Sequence, residues 1–119
     1  MRDLAPRASD ADKQVALIAA AFYGKADMLR FLVVLGADPN TYIDSSTGFH
    51  SHATALHQAI YSGSLDAVKV LIEAGARLDL KDKIYGGTPI GWAEYMQTET
   101  EDEEMREKYK AIENYLRKL

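Results

Sequence analysis

The clearest hydrophobic pattern lies between Thr54 and Asp79, where apolar residues recur at helical spacing in two short runs. The first run contains Leu56, Ala59 and Ile60, and the second contains Leu65, Val68, Leu71 and Ile72. Gly63 separates the runs after about two helical turns. The pattern predicts two short helices that are joined by a turn and share one apolar side.

The ends of these two helices are also visible in the sequence. Thr54 stands where its hydroxyl can accept a hydrogen bond from a free backbone N–H of the first turn. Gly75 stands where the second helix needs a left-handed residue, a conformation that glycine adopts without strain. The stretch is therefore predicted to be a complete helix–turn–helix unit.

The unit recurs on both sides. A shift of 39 residues toward the N-terminus superimposes Gly63 on Gly24 and Gly75 on Gly36. A shift of 34 residues toward the C-terminus superimposes Thr54 on Thr88, and Pro89 then occupies the first helical position, where its missing N–H costs nothing. Such self-similarity indicates a repeat protein.

The central unit resembles the ankyrin repeat. The family signature is Thr-Pro-Leu-His, an Ala pair, a Gly, and a Leu-rich helix that ends in Ala-Gly-Ala-Asp. The sequence keeps Thr54, Leu56, His57 and Gly63, and it departs from the signature at three positions, which are Ala55, Ile60 and Arg77. The resemblance implies an all-α stack of helix–turn–helix units with β-hairpin-like finger loops.

We therefore expect one ankyrin-repeat domain over residues 1–119, with repeats at about 12–40, 54–82 and 88–119. Two segments exceed the family period of about 33 residues. The first insertion is the Ser-, Gly- and His-rich loop 41–53, and the second, at about 98–107, is acidic. The outer repeats are expected to act as caps, and charged residues along the last helix fit a solvent-facing end.

The resemblance also implies which residues face a partner. In ankyrin proteins the partner usually lies in a concave groove formed by the fingers and the first helix of each repeat. The corresponding positions here are Phe22, Tyr23, Tyr61, Ser62, Ile84, Tyr85, Tyr95 and Met96, with Tyr42, Phe49 and His50 added by the long loop. Aromatic residues at such positions favour protein binding, although packing between neighbouring repeats would also use them.

Charge and composition restrict the kind of partner. The net charge of −4 argues against binding to nucleic acid, which requires clustered Lys and Arg. The absence of cysteine excludes disulfides and thiol chemistry. The first residues lack the apolar core of a signal peptide, and the apolar runs are much shorter than a membrane span. We expect a cytoplasmic protein without membrane contact.

The histidines leave a metal site as an alternative. His50 and His52, with Asp44 nearby, suit zinc by residue type. However, His57 stands at the histidine of the family motif, where the resemblance implies a hydrogen bond to the loop of the neighbouring repeat. Only two histidines then remain in the loop, on alternate residues, and in an extended segment the residue between them points the other way. The alternative function is thus a metal-binding protein or metal-dependent enzyme that uses the His50/His52 loop.

The sequence contains no pattern typical of catalysis. A nucleophile elbow, a phosphate-binding loop and cysteine are all missing. The acidic run Glu99–Glu104 is predicted to be a solvent-exposed segment that leads into a helix N-terminus. The alternative is a docking point for a basic partner. We expect a non-catalytic module without cofactor that binds an unknown protein or peptide. A monomer is expected, and self-association stays open.

Overall fold

The structure is a computed structural model that describes residues 10–40, 42 and 52–119. The described residues form six α-helices and contain no strand. The helices are α1 Asp10–Phe22, α2 Ala26–Val34, α3 Ala55–Ser62, α4 Leu65–Glu73, α5 Pro89–Glu99 and α6 Glu103–Arg117. The all-α class expected from the sequence is therefore confirmed.

The helices form three antiparallel pairs that stack side by side. The first helices pack in one row, α1 on α3 and α3 on α5, and the second helices pack in another, α2 on α4 and α4 on α6. Between the two rows lies a continuous apolar core whose largest fully buried side chains include Leu17, Ile18, Leu29, Leu56, Ile60, Leu71 and Ile112. These are the residues that recur at helical spacing in the sequence.

The predicted helix ends are present. The Thr54 hydroxyl accepts a hydrogen bond from the backbone N–H of His57 at 3.5 Å, and the Thr88 hydroxyl accepts one from the N–H of Gly91 at 3.2 Å. Gly63 ends α3 in the left-handed conformation, with φ +79°. A Cβ at Gly63 would also lie 2.7 Å from Cε of Met105, so the turn is closely packed against α6.

The third pair is longer than the other two, because the acidic segment 98–107 is almost entirely helical. Thr98 and Glu99 close α5, residues 100–102 make the connection, and residues 103–107 open α6. Asp102 caps α6 by accepting the N–H of Glu104 at 2.9 Å. The carboxylates of Glu103 and Glu104 then lie in the first turn, where they complement the helix dipole.

Side chains on α6 divide between α5 and solvent. The Arg106 guanidinium donates to the carbonyl oxygens of Gln97 and Thr100, and Glu113 accepts from the Gln97 amide at 2.7 Å. Arg106 and Glu113 therefore bind α5. The exposed residues of the helix are Glu103, Glu104, Glu107, Lys108, Lys110, Ala111, Asn114 and Arg117, so the solvent-facing surface is polar apart from Ala111.

Two contacts of side chains with backbone link neighbouring pairs. The Asn40 amide donates to the carbonyl of Gly75 at 3.0 Å and accepts from the N–H of Arg77 at 2.7 Å. The Tyr109 hydroxyl donates to the carbonyl of Tyr61 at 2.8 Å, next to the end of α3. The Tyr61 carbonyl lies in the last turn of α3 and is one of the groups that a helix C-terminus leaves without a helical partner.

Candidate binding groove

The loop between α4 and α5 is shaped by one buried carboxylate. Asp82 is 3 % exposed, and its Oδ1 accepts the backbone N–H groups of Ile84 at 3.0 Å and Tyr85 at 2.5 Å. Its Oδ2 accepts the N–H of Gly87 at 2.8 Å. The N–H of Asp82 in turn donates to the Gly87 carbonyl at 2.9 Å, so the loop closes on itself as a finger without paired strands.

Trp92 of α5 lies against this finger. Its indole Nε1–H donates to Asp82 Oδ2 at 2.9 Å, and its ring meets the His57 ring edge to face with 4.8 Å between centroids. A Cβ on Gly87 would lie 2.9 Å from both Asp82 Oδ2 and Trp92 Cδ1. Glycine at position 87 is therefore what allows the finger to approach the indole.

Hydrogen bonds keep Asp82 ionised despite its burial. Burial by itself raises the pKa of the carboxyl group, but the indole N–H of Trp92 and the three backbone N–H groups favour the charged form. The result is a pKa lowered from 3.8 to about 2. The charge of Asp82 is consequently part of the folded structure at any pH above about 4.

His57 connects the same finger to α3. Its Nε2–H donates to the Gly87 carbonyl at 2.9 Å, and its Nδ1 accepts the backbone N–H of Thr54 at 3.2 Å. These partners assign the neutral tautomer with hydrogen on Nε2. Burial lowers the pKa of His57, against the opposing effects of the Gly87 carbonyl and of Asp82. The resemblance to ankyrin repeats implied this bond to the neighbouring loop.

A cleft of about 690 Å³ lies between the finger and the first helices of the second and third pairs. Tyr61 comes from α3, Tyr85 from the finger, and Tyr95 and Met96 from α5, with Trp92 and the backbone of Gly87 beneath. The side chains of Tyr85 and Tyr95 are 81 % and 60 % exposed. Four of the eight predicted partner-facing residues are thus brought together around one cleft.

The other four predicted residues lie around this cleft or away from it. Phe22 is half-buried and stacks on Tyr61 with 5.6 Å between ring centroids. Tyr23 meets Phe22 edge to face and lines a different depression, beside α1 and α2. Ser62 uses its hydroxyl inside the turn, where it donates to the Ala59 carbonyl at 2.6 Å. Ile84 is 64 % exposed beside Tyr85 at the tip of the finger.

Only part of the long histidine-containing loop can be placed. Phe49, His50 and Asp44 lie outside the described residues. The Tyr42 hydroxyl donates to the Lys81 carbonyl at 2.5 Å, and the Lys83 ammonium lies 4.3 Å from the centroid of the Tyr42 ring. Tyr42 therefore contacts the base of the finger.

The metal alternative gains no support from the part of the chain that the structure describes. Within it, no group of three or more His, Asp or Glu side chains is arranged to hold a metal ion. The His52 ring lies 6.0 Å from the Tyr85 and Trp92 ring centroids, and it lines the cleft. His52 is thus part of the aromatic surroundings of the groove.

Sequence reasoning missed Asp82 and Trp92, which hold the groove together. A local signal existed for Asp82, because it stands at the start of a turn that ends in Gly86-Gly87, and Asp at such a position typically binds backbone N–H groups of the turn. For Trp92 the signal was its helical spacing, since it follows Thr88 by four residues and starts the same face as Tyr95 and Met96.

Comparison with known proteins agrees with the repeat fold. A family model described as Ankyrin repeats (3 copies) matches residues 3–94. The chain belongs to the ankyrin-repeat family. Ankyrin repeats are generally protein–protein interaction modules and typically lack enzymatic activity. The match ends within α5, so the C-terminal part of this ankyrin stack, including α6, lies beyond the matched region.

No curated protein matched the chain. None of the ankyrin helices in the described ranges 10–40 and 52–119 combines the length and the apolar character that crossing a membrane requires.

Proposed function

We propose that this ankyrin stack is a non-catalytic binding module that captures a segment of a partner protein in the cleft beside the finger. The observation that carries the proposal is the pair of exposed rings, Tyr85 and Tyr95, above a floor built from Trp92 and Gly87. A volume of about 690 Å³ suits a few side chains of a peptide rather than a large surface. Tyrosine and tryptophan at such a site supply much of the binding energy of protein interfaces.

The floor of the cleft is rigid for reasons internal to the protein. Trp92 is fixed by its hydrogen bond to Asp82, and the finger is fixed by the bond between His57 and Gly87. A floor that is ordered before binding loses little conformational entropy when a partner arrives. Met96 adds an adaptable apolar side chain to one wall. These features support an apolar or aromatic side chain of the partner as the inserted group.

The proposal includes a cytoplasmic location and a protein partner rather than nucleic acid. The net charge of −4 supports the second point, because a phosphate backbone would be repelled by the chain as a whole.

A peptide selection tests the function directly. Random peptides displayed on phage are selected on the purified protein, and an enriched peptide is synthesised with a fluorescent label. Its affinity is then measured by fluorescence polarisation for the wild type, Tyr61→Ala, Tyr95→Ala and the double variant. We expect each single change to weaken binding about tenfold or more, which corresponds to about 1.4 kcal/mol.

Tyr23→Ala is the matched control, because Tyr23 is 63 % exposed but lines a different depression. It should leave the affinity unchanged, and circular dichroism should show that all variants keep their helices. If the double variant binds as tightly as the wild type, or if Tyr23→Ala weakens binding equally, the cleft is not the binding site.

A further inference from the structure

The cleft beside the finger is lined mostly by aromatic rings. Tyr61, Tyr85, Trp92 and Tyr95 all contribute to its walls or floor, and the described lining residues include no lysine or arginine. The π face of such a ring carries partial negative charge and attracts a cation within about 6 Å of the ring centre. The walls therefore favour a positively charged group on an apolar stem.

The floor of the cleft adds a full negative charge. Asp82 is 3 % exposed, and its carboxylate accepts only from the indole N–H of Trp92 and from backbone N–H groups, all of which are uncharged donors. The neighbouring Lys83 places its ammonium 4.3 Å from the centroid of the Tyr42 ring, and Lys81 does not line the cleft. Because a buried charge is screened less than an exposed one, the field of Asp82 reaches the cleft.

A second carboxylate lies at the rim. The Tyr95 hydroxyl is hydrogen-bonded to Glu99, one turn further along α5, and this bond is the main cause of the raised pKa of Tyr95. Among the described residues, no lysine or arginine forms an ion pair with Glu99. Glu94 on the same helix, by contrast, is paired with Arg117 at 2.5 Å. The rim beside Tyr95 thus keeps a negative charge that a ligand can use.

We propose that the partner segment inserts an arginine side chain into this cleft, an inference that rests on the binding function proposed above. The guanidinium is planar, always charged, and less strongly hydrated than a lysine ammonium, so it stacks on aromatic faces at a smaller cost of desolvation. Its methylene stem supplies the apolar part of the inserted group and packs against Met96. The protein already contains an internal contact of this kind, between the Lys69 ammonium and the Tyr115 ring at 5.5 Å.

The depression beside α1 and α2 shows what such a site lacks elsewhere on the protein. It also has an exposed tyrosine, Tyr23, but no second aromatic residue is among its described lining residues. Lys25 and Arg30 line it together with Asp27 and Asp66, so its positive and negative charges balance. An arginine side chain would gain little there, and the cleft beside the finger is the preferred site.

A titration with single amino-acid derivatives tests this chemistry without knowledge of the partner. Trp92 is the only tryptophan, so an isotopically labelled sample gives one indole N–H signal in its NMR spectrum, from the floor of the cleft. The probe is N-acetyl-arginine amide, and the controls are N-acetyl-citrulline amide, which has the same shape without the charge, and N-acetyl-leucine amide. We expect the dissociation constant of the arginine derivative to be lower than that of either control by about tenfold or more.

Two variants assign the preference to the rim of the cleft. Glu99→Gln should weaken binding of the arginine derivative about threefold and leave the citrulline derivative unaffected. Glu94→Gln is the matched control, because its carboxylate already has Arg117 as a partner, and it should bind like the wild type. Equal affinities for the arginine and citrulline derivatives, tighter binding of the leucine derivative, or no shift of the indole signal with arginine overturns the proposal.

The peptide selection described above keeps this inference apart from the binding function. Selected peptides that depend on Tyr95 but insert leucine or phenylalanine would overturn the role of arginine and leave the groove as the binding site. Selected peptides that bind the Tyr95→Ala variant as well as the wild type would contradict the groove itself, whatever the amino-acid derivatives do.

Discussion

The indole N–H of Trp92 donates to Oδ2 of Asp82 at 2.9 Å and so joins the finger to the first helix of the third repeat. The same carboxylate accepts three backbone N–H groups of its own loop. One side chain therefore sets the shape of the finger and its position over α5. Because a buried carboxylate is costly unless it is fully hydrogen-bonded, the finger and the indole depend on each other.

We predict that Asp82→Asn destabilises the protein. An amide can accept at only one of its two polar atoms, so the N–H groups that now point to Oδ1 and Oδ2 cannot all be satisfied. The expected loss is about 2 kcal/mol in the free energy of unfolding, measured in urea by circular dichroism. Asp79→Asn, in the same connection but exposed, is the control and should unfold at nearly the wild-type urea concentration. Equal stability of the two variants would contradict the role given to Asp82.

Gly87→Ala should loosen the finger. The new methyl group would lie 2.9 Å from Asp82 Oδ2 and from Trp92 Cδ1, closer than van der Waals contact allows. We expect a loss of about 1–3 kcal/mol and a change in the fluorescence of Trp92, the only tryptophan. Gly91→Ala is the comparison, because its Cβ would approach only the Thr88 hydroxyl, at 3.3 Å. It should be close to neutral, and a reversed order of the two stabilities would argue against the close approach.

Protonation of His57 should weaken the fold as the pH falls. Burial holds the pKa of His57 below its ordinary value of 6.5, so the unfolded chain binds this proton first. The stabilisation of the folded state by neutral His57 is fully present above about pH 6.5. It is lost as the pH falls toward the pKa of His57 in the folded protein. We expect the free energy of unfolding to decline as the pH falls below about 6.5. His57→Gln should show a shallower decline, and parallel curves would exclude His57 as the cause.

Asp82 should act in a separate and more acidic range. Its pKa in the folded protein is about 2, below the value of 3.8 in an unperturbed chain, so its stabilisation is present above about pH 4 and is lost toward pH 2. This lowering of the pKa corresponds to about 2 kcal/mol in the free energy of unfolding. The difference in stability between the wild type and Asp82→Asn should therefore narrow as the pH is lowered from 4 to 2. A constant difference would mean that the charge of Asp82 contributes nothing.

Tyr109→Phe tests the contact between the last helix and the second repeat. The change removes only the hydroxyl that donates to the Tyr61 carbonyl, and we expect a loss of about 1 kcal/mol. Tyr115→Phe is the matched control, since the ring that lies beneath Lys69 is kept. Thermal unfolding should rank Tyr109→Phe below Tyr115→Phe and the wild type. Identical melting temperatures would show that the hydroxyl is replaceable by water.

The sequence predicted the helices wherever local chemistry decides them. Thr54 and Thr88 start helices in the structure as expected, because their hydroxyls satisfy backbone groups a few residues away. The third repeat was harder, since no glycine follows Tyr95 and α5 simply continues to Glu99. A missing stop signal leaves the length of a helix to tertiary packing, which a local pattern does not contain.

The groove was predicted in outline from the family resemblance but not in its construction. Tyr61, Tyr85 and Tyr95 do surround one cleft, and their role in binding a partner stays a prediction. Asp82 and Trp92 lie ten residues apart and meet only after the finger has folded back. Ser62 resembled a partner-facing residue, although its hydroxyl closes the turn beside Gly63. The roles of Asp82, Trp92 and Ser62 depend on which groups lie close together in the folded chain, and a local sequence pattern does not contain that information.

The cleft is lined by two kinds of residue, those that stabilise the fold and those whose substitution should cost little stability. Its floor is fixed by Asp82 and Trp92, where substitution costs stability, whereas Tyr85 and Tyr95 extend mostly into solvent. Under the proposed function, substitutions at the two tyrosines would change the partner segment that the cleft binds at little cost in stability. New binding specificities would then arise by single substitutions, without compensating changes elsewhere in the chain.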